Sequence, residues 1–557
     1  MALSKLPKVK LGLILIVILG AVFRFSNLNW DEGQHLHPDE RYISLALTAV
    51  RLPSSIGEYF SIENSLSPFN TQYSSYIYGQ FPLTVIKFLS VKLGVDSYDK
   101  AYILGRTISA ALDTASILLV FILGKRLFGI RPGLFGALAY AAMPLAIQNS
   151  HFMTMESWLT FSWLAVLLVS LMKTKKRILK SVTIGILLGM SLAIKINSIF
   201  ILPLVLVLIF LNERKKLSAH CFLLIVFCSL FSAFSFRLFQ PTIFASSSWL
   251  NWGLRPEFVR AFEFQQAAIN GTVMFPPQWQ WMETTPVIFL IKNLGLWGLG
   301  PAVSILLIIG LAVSAYLMIK NRNFMLATLF LFILAIVGYN GMKFVKTMRY
   351  AVPLLGILAV FSGVGADWLI KKIKIAGRIL TAGLFIMALI WAYMFTAIYR
   401  NQQTRIAASQ WIYSNIPSGS KIMLEEWDDP LPLQMTGYEA VKYQTEVVGV
   451  YAPDDEKKKE QINRWLMDFD WIVLSSPRAK GSIGRLPQQF PLMTRFYREL
   501  ESGTLGFMKA AEFTSYPKLD CSLFSAHCFL LIDDSLAEES FWVYDHPKVE
   551  IYKKPKS

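Results

Sequence analysis

About eleven runs of mostly apolar residues, separated by short basic clusters, constrain this 557-residue chain more than any other feature. They lie roughly at 9–26, 104–126, 132–148, 156–172, 181–196, 198–212, 219–237, 299–319, 324–339, 350–369 and 379–399. A helix needs about 20 such residues to cross the hydrocarbon of a bilayer, and fewer where Gly or Pro interrupts it inside a bundle. A chain so patterned is expected to fold as a polytopic α-helical membrane protein. Composition agrees: 54% of the residues are hydrophobic and only 16% charged, against about 25% charged in soluble domains.

The charges set the expected orientation. With Lys5, Lys8 and Lys10 in the cytoplasm, the successive inside loops are Lys125–Arg131, Lys173–Lys180, Glu213–Lys216, Lys320–Arg322 and Lys371–Arg378. These segments hold 20 Lys and Arg against one acid, Glu213, which by the positive-inside rule puts the N-terminus in and the C-terminus out. Two long outside loops follow, about 27–103 and 238–298. Residues 1–399 then form a transmembrane module and residues 400–557 an extracytoplasmic domain. The division also shows in the charge balance, 35 basic to 15 acidic residues in the first part and 19 to 22 in the second. Topology therefore accounts for the net charge of +17 without a nucleic-acid partner. A basic stretch precedes the first run as in a signal peptide, but no small-x-small site follows convincingly, so the run is expected to be retained.

The tail reads as a small α/β domain. Ala407–Asn415 has a helical apolar pattern closed by Pro417, Lys421–Leu424 alternates like a strand, Asp454–Trp465 is a charged helix with one apolar stripe, and Trp471–Leu474 is strand-like. Ser540–Tyr552 reads as two short strands around a His–Pro turn. Cys221 and Cys228 lie inside an apolar run as core residues, whereas Cys521 and Cys528 fall in the outside domain, close enough in sequence to bridge, although no sequence rule fixes the pairing.

Chemistry-bearing residues gather at the outside ends of the runs. In His37-Pro38-Asp39-Glu40-Arg41-Tyr42 a proline opens a helix whose first turn carries two carboxylates, and the same loop continues into Tyr76–Pro82, whose aromatics and Gly can shape a pocket. Glu156 stands at the outside start of a span, where an acid at the edge of hydrocarbon faces a cavity or a partner. Lys195, Arg237, Lys343, Lys346 and Arg349 break the positive-inside pattern, and together they suit a phosphate, with Arg the bidentate partner. Glu40 and Glu156 offer paired oxygens for a Mg²⁺ or Mn²⁺ ion. His35, His37 and His151 have no recognised zinc spacing. Asp468-Phe469-Asp470 imitates the acid-x-acid signature of nucleotide-sugar transferases but reads as a helix-to-strand turn. There is no P-loop and no Gly-rich dinucleotide fingerprint.

The segments HPDERY, YGQFPL, SHFMTMESW, the Lys195 turn and KTMRYAVPLL, in this order between these spans, resemble the lipid-carrier-dependent glycosyltransferases of the GT-C superfamily. The likeness is to the protein O-mannosyltransferase and aminoarabinose transferase group over about residues 10–400, and WIYSNIPSGSKIMLEEWDDPLP and ESFWVYDHPKV resemble the tail of bacterial members. The resemblance implies an outward-opening active site in a GT-C-like bundle, a base in the first outside loop at the position of Asp39, and a polyprenyl-phosphate-linked sugar as donor. Glu156 stands where Asp is common in the family, and the acceptor-binding insert of eukaryotic members is absent. The expectation is transfer, with inversion, to a protein, lipid or glycan acceptor at the outer face of the cell membrane. A transporter or flippase of envelope glycolipids is the alternative, disfavoured because the unusual charges cluster at span ends and no internal repeat is visible. A non-enzymatic envelope scaffold rests on the tail alone.

Overall fold

A backbone surrounded by lipid must satisfy its own N–H and C=O groups, and every apolar run of the sequence accordingly closes into helix. The computed structural model describes residues 6–212, 218–520 and 529–555. Two compact units emerge. The first comprises Met1–Leu28, Asp39–Asn270 and Thr285–Tyr393, and the second Asn29–Pro38, Gly271–Thr284 and Met394–Ser557. Short pieces of both long outside loops thus belong with the tail.

The first unit is built from α1 (Leu6–Arg24), α2 (Pro38–Ala49), α3 (Gln80–Leu93), α4 (Tyr98–Phe128), α5 (Ile130–Ala141), α6 (Pro144–Ser150), α7 (Glu156–Ser170), α8 (Arg177–Ile194), α9 (Leu202–Asn212), α10 (Ala219–Phe239), α11 (Pro256–Asn270), α12 (Ile288–Asn293), α13 (Pro301–Lys320), α14 (Phe324–Met342) and α15 (Leu355–Phe395). Six helical stretches among the described residues are long and apolar enough to cross a membrane, and the pair α5 and α6, bent by 59°, makes a seventh. The expected number of about eleven therefore counts apolar runs rather than long helices. Pro144 bends one run into two pieces, while Glu156–Ser170 and Ile196–Leu211 are shorter helices. The last two runs are separate helical arms although both lie within α15. Lys374 has φ 54° and ψ −115°, and a Cβ on Gly377 would stand 2.0 Å from the carbonyl oxygen of Leu369. In a continuous helix residues eight apart are about 12 Å apart along the axis, so the chain has doubled back.

Small residues let helices approach closely. A Cβ on Gly185 or Gly189 of α8 would meet the carbonyl oxygens of Cys228 and Ser232 on α10 at 2.5 and 2.3 Å. Cys221 and Cys228 are buried free thiols in that helix. A buried charge network ties α1 into the bundle. Arg24 Nε donates to Asp113 Oδ1 at 2.6 Å, Tyr140 donates its hydroxyl to Asp113 Oδ2 at 2.7 Å, and Arg24 Nη1 also reaches the Ala141 carbonyl at 3.1 Å. All its members are matched, as an ion pair in a dry interior must be.

The second unit is a five-stranded sheet with order β2-β1-β3-β7-β4. β1 (Lys421–Glu425), β2 (Gln444–Val448) and β3 (Trp471–Leu474) run parallel, and β7 (Val549–Lys553) pairs antiparallel with both β3 and β4 (Met508–Phe513). β5 (Lys518–Asp520) and β6 (Phe529–Leu531) form a separate ribbon. α16 (Thr404–Asn415) packs on one face through Ala408 and Ile412, and α17 (Glu456–Asp468) on the other through Trp465. The 271–284 segment adds Trp279 to that second core, its ring 4.9 Å from Phe490 and 5.1 Å from Tyr451.

Ser540–Tyr552 holds one strand, not two, because Glu539–Trp542 is a short helix whose Phe541 and Trp542 are buried. The turn between is held by His546, whose ring nitrogens lie 2.6 Å from Asp545 and 2.8 Å from Asp534. Asp468-Phe469-Asp470 is the turn from α17 into β3, with Asp470 Oδ2 accepting from the Lys421 N–H at 3.1 Å. Cys521 and Cys528 lie outside the described residues, and so does the Glu213–Lys216 loop.

Candidate functional site

Pro38 opens α2 and places Asp39 and Glu40 in its first turn. Successive helical residues point about 100° apart, and here the two carboxylates take different surroundings. Asp39 stays 32% exposed, whereas Glu40 turns into the bundle with 0% exposure. There Glu40 Oε1 accepts from Arg106 Nε at 2.8 Å, and Oε2 accepts from the Met153 N–H at 3.1 Å. Glu40 is a packing anchor between α2 and α4, a correction to its expected place beside the reacting groups.

Arg349 projects from the 3₁₀ turn Met348–Leu354, whose start is capped by the Thr347 hydroxyl accepting from the Arg349 N–H. Its guanidinium joins two carboxylates. Nε lies 2.9 Å from Glu156 Oε1 and Nη2 3.2 Å from Oε2, a fork-on-carboxylate arrangement, while Nη1 donates to Asp39 Oδ2. Lys195 adds a second cation to Glu156, Nζ to Oε1 at 3.1 Å. It reaches there because it is extended (φ −160°, ψ 131°) between α8 and the 3₁₀ turn Ile196–Ile201. A continuous relay results: Asp39, Arg349, Glu156, Lys195. Its two carboxylates differ sharply in surroundings, since Glu156 is 1% exposed.

The loop that leads from α2 into α3 clamps onto this relay at Gly79. The Gly79 N–H donates to the Ile194 carbonyl at 3.0 Å, and a Cβ there would lie 2.0 Å from the Ala193 oxygen and 2.3 Å from that of Ile194. No other residue fits. The clamp seats Tyr78 against Asp39, and burial followed by the nearby Asp39 carboxylate holds its phenol well above the usual tyrosine range. Tyr78 is therefore a neutral donor to Asp39 at any physiological pH. Tyr76 and Tyr42 stack behind it, Tyr76 5.4 Å from the Tyr78 ring and 6.3 Å from that of Tyr42.

Asp39, Tyr78, Lys195 and Arg349 line one cavity of about 160 Å³ with Asn197, Phe262, Gln265, Gln266 and Tyr350. A neighbouring cavity shares Asn197, Phe262, Gln266 and Tyr350 and adds Asn340 and Lys343. A third, lined by Glu156, Lys195, Arg349, Phe200 and Ile336, leads toward an apolar groove of about 490 Å³ between α9 and α14 that also uses Phe200 and Ile336. The groove walls include Pro203, Leu204, Val207, Leu331 and Phe332.

Of the remaining candidates, only Lys343 borders these cavities. Arg237 is buried over the Phe244 ring at 3.9 Å and donates to the carbonyls of Ser246 and Ser248, so it shapes the loop that follows α10. Lys346 is 4% exposed and donates to the Phe344 carbonyl at 3.0 Å, and burial pushes its ammonium below the ordinary lysine value. Lys343 stands at the rim, donating to Asn270 Oδ1 at 2.8 Å. His151 has both ring nitrogens beside backbone carbonyls, of Ile147 and Ser26, whereas His35 and His37 belong to the other unit. No three His, Cys, Asp or Glu side chains converge as metal ligands among the described residues. The oxygens of Glu40 and Glu156, proposed above for Mg²⁺ or Mn²⁺, point at guanidinium and ammonium groups instead, a donor set that does not fit a divalent ion. Sequence reading had drawn Tyr78 and Gly79 only as part of an aromatic loop, and it passed over Asn197, Gln265, Gln266 and Asn340.

Residues 98–237 match the family model of dolichyl-phosphate-mannose-protein mannosyltransferases. No curated protein sequence matches the chain. Among solved structures, the oligosaccharyltransferase of Archaeoglobus fulgidus in its apo form aligns over 88% of this chain and 72% of its own, at 15% identity and TM-score 0.51. AglB of the same organism, in complex with an inhibitory peptide and a dolichol-phosphate, aligns over 96% and 75%, at 12% identity and TM-score 0.50. ArnT from Cupriavidus metallidurans bound to undecaprenyl phosphate covers 89% and 96%, at 15% identity and TM-score 0.46. The chain has the GT-C fold, and the resemblance to this group stands.

Proposed function

We propose that this chain of GT-C fold is an integral membrane glycosyltransferase that moves a sugar from a polyprenyl-phosphate carrier to an acceptor hydroxyl at the outer boundary of the membrane. One observation carries the reading: a cage of Arg349 and Lys195 beside an accessible carboxylate adjoins an apolar groove between two membrane helices. A lipid phosphate presents that pairing of a polar head and a long apolar tail. The name of one solved neighbour, which holds a dolichol-phosphate, points the same way.

The chemistry follows from the positions. The acceptor oxygen attacks the anomeric carbon, the bond from that carbon to the phosphate oxygen breaks, and the electron pair leaves with the polyprenyl phosphate. Arg349 and Lys195 take up the growing charge on the phosphate, as fixed donors in a partly dry site do best. Asp39 receives the acceptor proton, and Tyr78, which stays neutral, orients the carboxylate by donating to it. A single displacement inverts the anomeric centre. No step passes through a metal ion. N-terminus inside, tail outside and a location in the cell membrane complete the reading, supported by the basic inside loops.

The test is incubation of the purified protein in lipid nanodiscs with radiolabelled polyprenyl-phosphate sugars and total envelope acceptors. Transfer of label that disappears in Asp39→Asn supports the proposal. Absence of transfer from every carrier-linked sugar, with intact protein, removes it.

A further inference from the structure

The loop after α10 turns back along the helix it leaves. Phe244 and Leu254 form an antiparallel bridge, and the residues between them make a hairpin tip. Trp249 in that tip stacks on Phe234 of α10, ring centres 5.4 Å apart. Phe234 precedes the last residue of α10, Phe239, by five positions, about 7.5 Å along a helix axis. The tip therefore lies beside the helix rather than beyond its end. Arg237 holds it there, its buried guanidinium donating from Nη2 to the carbonyls of Ser246 at 2.5 Å and Ser248 at 3.0 Å.

What the hairpin presents outward is apolar. Leu250 is 93% exposed, and Trp249, Trp252 and Leu254 are exposed as well. No residue from Phe244 to Leu254 carries a charge. On α10, one of the stretches long and apolar enough to cross a membrane, the exposed Leu223, Leu230 and Phe234 share one helical face. The Phe234–Trp249 stack carries that face onto the tip. The backbone of the tip is also suited to a place with little water. The Ala245 N–H donates to the Gly253 carbonyl at 2.8 Å, and the Asn251 N–H to that of Ser248 at 3.1 Å. Side chains take two more, Asn251 Oδ1 the Gly253 N–H at 2.9 Å and the Ser246 hydroxyl oxygen the Ser248 N–H at 3.1 Å. A loop in water can leave such groups to the solvent, whereas lipid forces each to find a partner within the protein.

We propose, on the footing of the membrane reading above, that the 244–254 hairpin is inserted into the outer leaflet beside α10, with the glycerol region and upper acyl chains of phospholipid as its partner. Contiguous exposed apolar surface marks a contact, and tryptophan at the end of a spanning helix favours the band between headgroup and hydrocarbon. The absence of charge and the continuity with the exposed stripe of α10 select lipid over a protein partner. The hairpin leads directly into Arg255, which donates to the Ile62 carbonyl at 3.2 Å and to Asn70 Oδ1 at 2.8 Å, and then into α11, whose Phe262 lines the Asp39 cavity. The inserted tip thus fixes the depth in the membrane at which α11 begins.

The experiment compares tryptophan fluorescence of the full chain with that of a Trp249→Phe, Trp252→Phe double variant, so that the difference isolates the two hairpin indoles among the 15 tryptophans. Both proteins are placed in nanodiscs of phosphatidylcholine, unmodified or brominated on its acyl chains near the carbonyl end or near the methyl end, and acrylamide is the aqueous quencher. The hairpin component is expected to lose most of its emission to lipid brominated near the carbonyl end, less to the deeper label, and little to acrylamide. Leu250→Asp, which carries a charge into the leaflet, is expected to reverse that order and expose the component to acrylamide. The single variant Trp249→Phe serves the same comparison if the double variant folds poorly. Quenching of the hairpin component by acrylamide but not by bromine overturns the inference, since the tip then stands in water. Protection from both overturns it too, since a second copy or another protein then covers the tip. Neither result touches the transferase reading, which is tested by transfer of label. Absence of bromine quenching at any tryptophan of the unaltered chain overturns the membrane reading and this inference with it.

Discussion

Replacement of Gly79 by Ala tests whether the loop between α2 and α3 positions the proposed chemistry. The added Cβ would stand 2.0 Å from the Ala193 carbonyl oxygen and 2.3 Å from that of Ile194, where ordinary contact is about 3.4 Å. The loop must retreat by roughly 1 Å or more, because both obstacles are backbone at the end of α8 and cannot rotate away. The retreat strains the Gly79 N–H bond to Ile194 and carries Tyr78 from Asp39. Misplacement of about 1 Å costs on the order of 10²-fold in rate, and overpacking costs about 1–3 kcal/mol in stability. Gly105→Ala is the control. Its Cβ would approach Met153 Cγ and Sδ at 2.2 Å, but those atoms belong to a flexible side chain that can turn aside. Initial rates of label transfer and thermal unfolding are measured on both variants. A Gly79→Ala protein within twofold of the unaltered rate, or a Gly105→Ala protein impaired as severely, refutes the positioning argument.

Asp39→Asn keeps the shape of the side chain but takes no proton, so transfer should fall about 10²-fold or more while the melting temperature holds. Arg349→Ala should raise the donor KM far more than Lys371→Ala, since Lys371 is 63% exposed and only pairs with Asp367 one helical turn away. Glu40→Gln is expected to lower stability by about 3–5 kcal/mol, seen in thermal unfolding, because it leaves the buried Arg106 charge without its partner. Stability of the tail should fall as pH rises from about 7 to 10: Asp534 and Asp545 lift His546 to about 10 against the cost of burial, and burial lifts Glu425 to about 8. Both groups bind more protons folded than unfolded, so their contribution is complete at low pH and is lost through those values; a melting temperature that rises over this range, or a slope unchanged in His546→Gln, refutes it.

Much of the site was legible because topology supplies a background against which charges stand out. Asp39, Glu156, Lys195 and Arg349 each lie at or beyond the end of an apolar run expected to face outward, and the structure brings these four together. Glu40 and Arg237 carry the same signal and go elsewhere, since a rotation of 100° along α2 and a loop folded over Phe244 are tertiary facts with no trace in local pattern. Tyr78 and Gly79 were visible as a pocket-shaping stretch, yet the need for glycine appears only when α8 arrives beside it. Gln265 and Gln266 left no mark at all, because a neutral amide on an amphipathic helix is ordinary. In the tail, period and length identified α16, α17, β1 and β3, whereas Phe541 and Trp542 read as strand residues until the His546 turn was seen to hold them in a helical one.

Burial divides the work between two carboxylates that share one guanidinium. At an effective dielectric constant near 20, opposite charges about 4 Å apart attract by about 4 kcal/mol, so neither contact of Arg349 is given up freely. Glu156, 1% exposed and touched by two cations, cannot be left behind, because an unpaired buried charge costs several kcal/mol. Asp39, 32% exposed, has water and Tyr78 to take the place of Arg349. A lipid phosphate competing for the guanidinium therefore displaces Asp39 first. The same event that secures the leaving group releases the carboxylate from its strongest partner, which raises its proton affinity when the acceptor hydroxyl must be deprotonated. In the proposed reaction Glu156 would hold Arg349 and Lys195 in place while Asp39 takes the proton, and removal of either acid is expected to end transfer for a different reason: Glu156→Gln by loosening the cage around the phosphate, Asp39→Asn by leaving the proton nowhere to go.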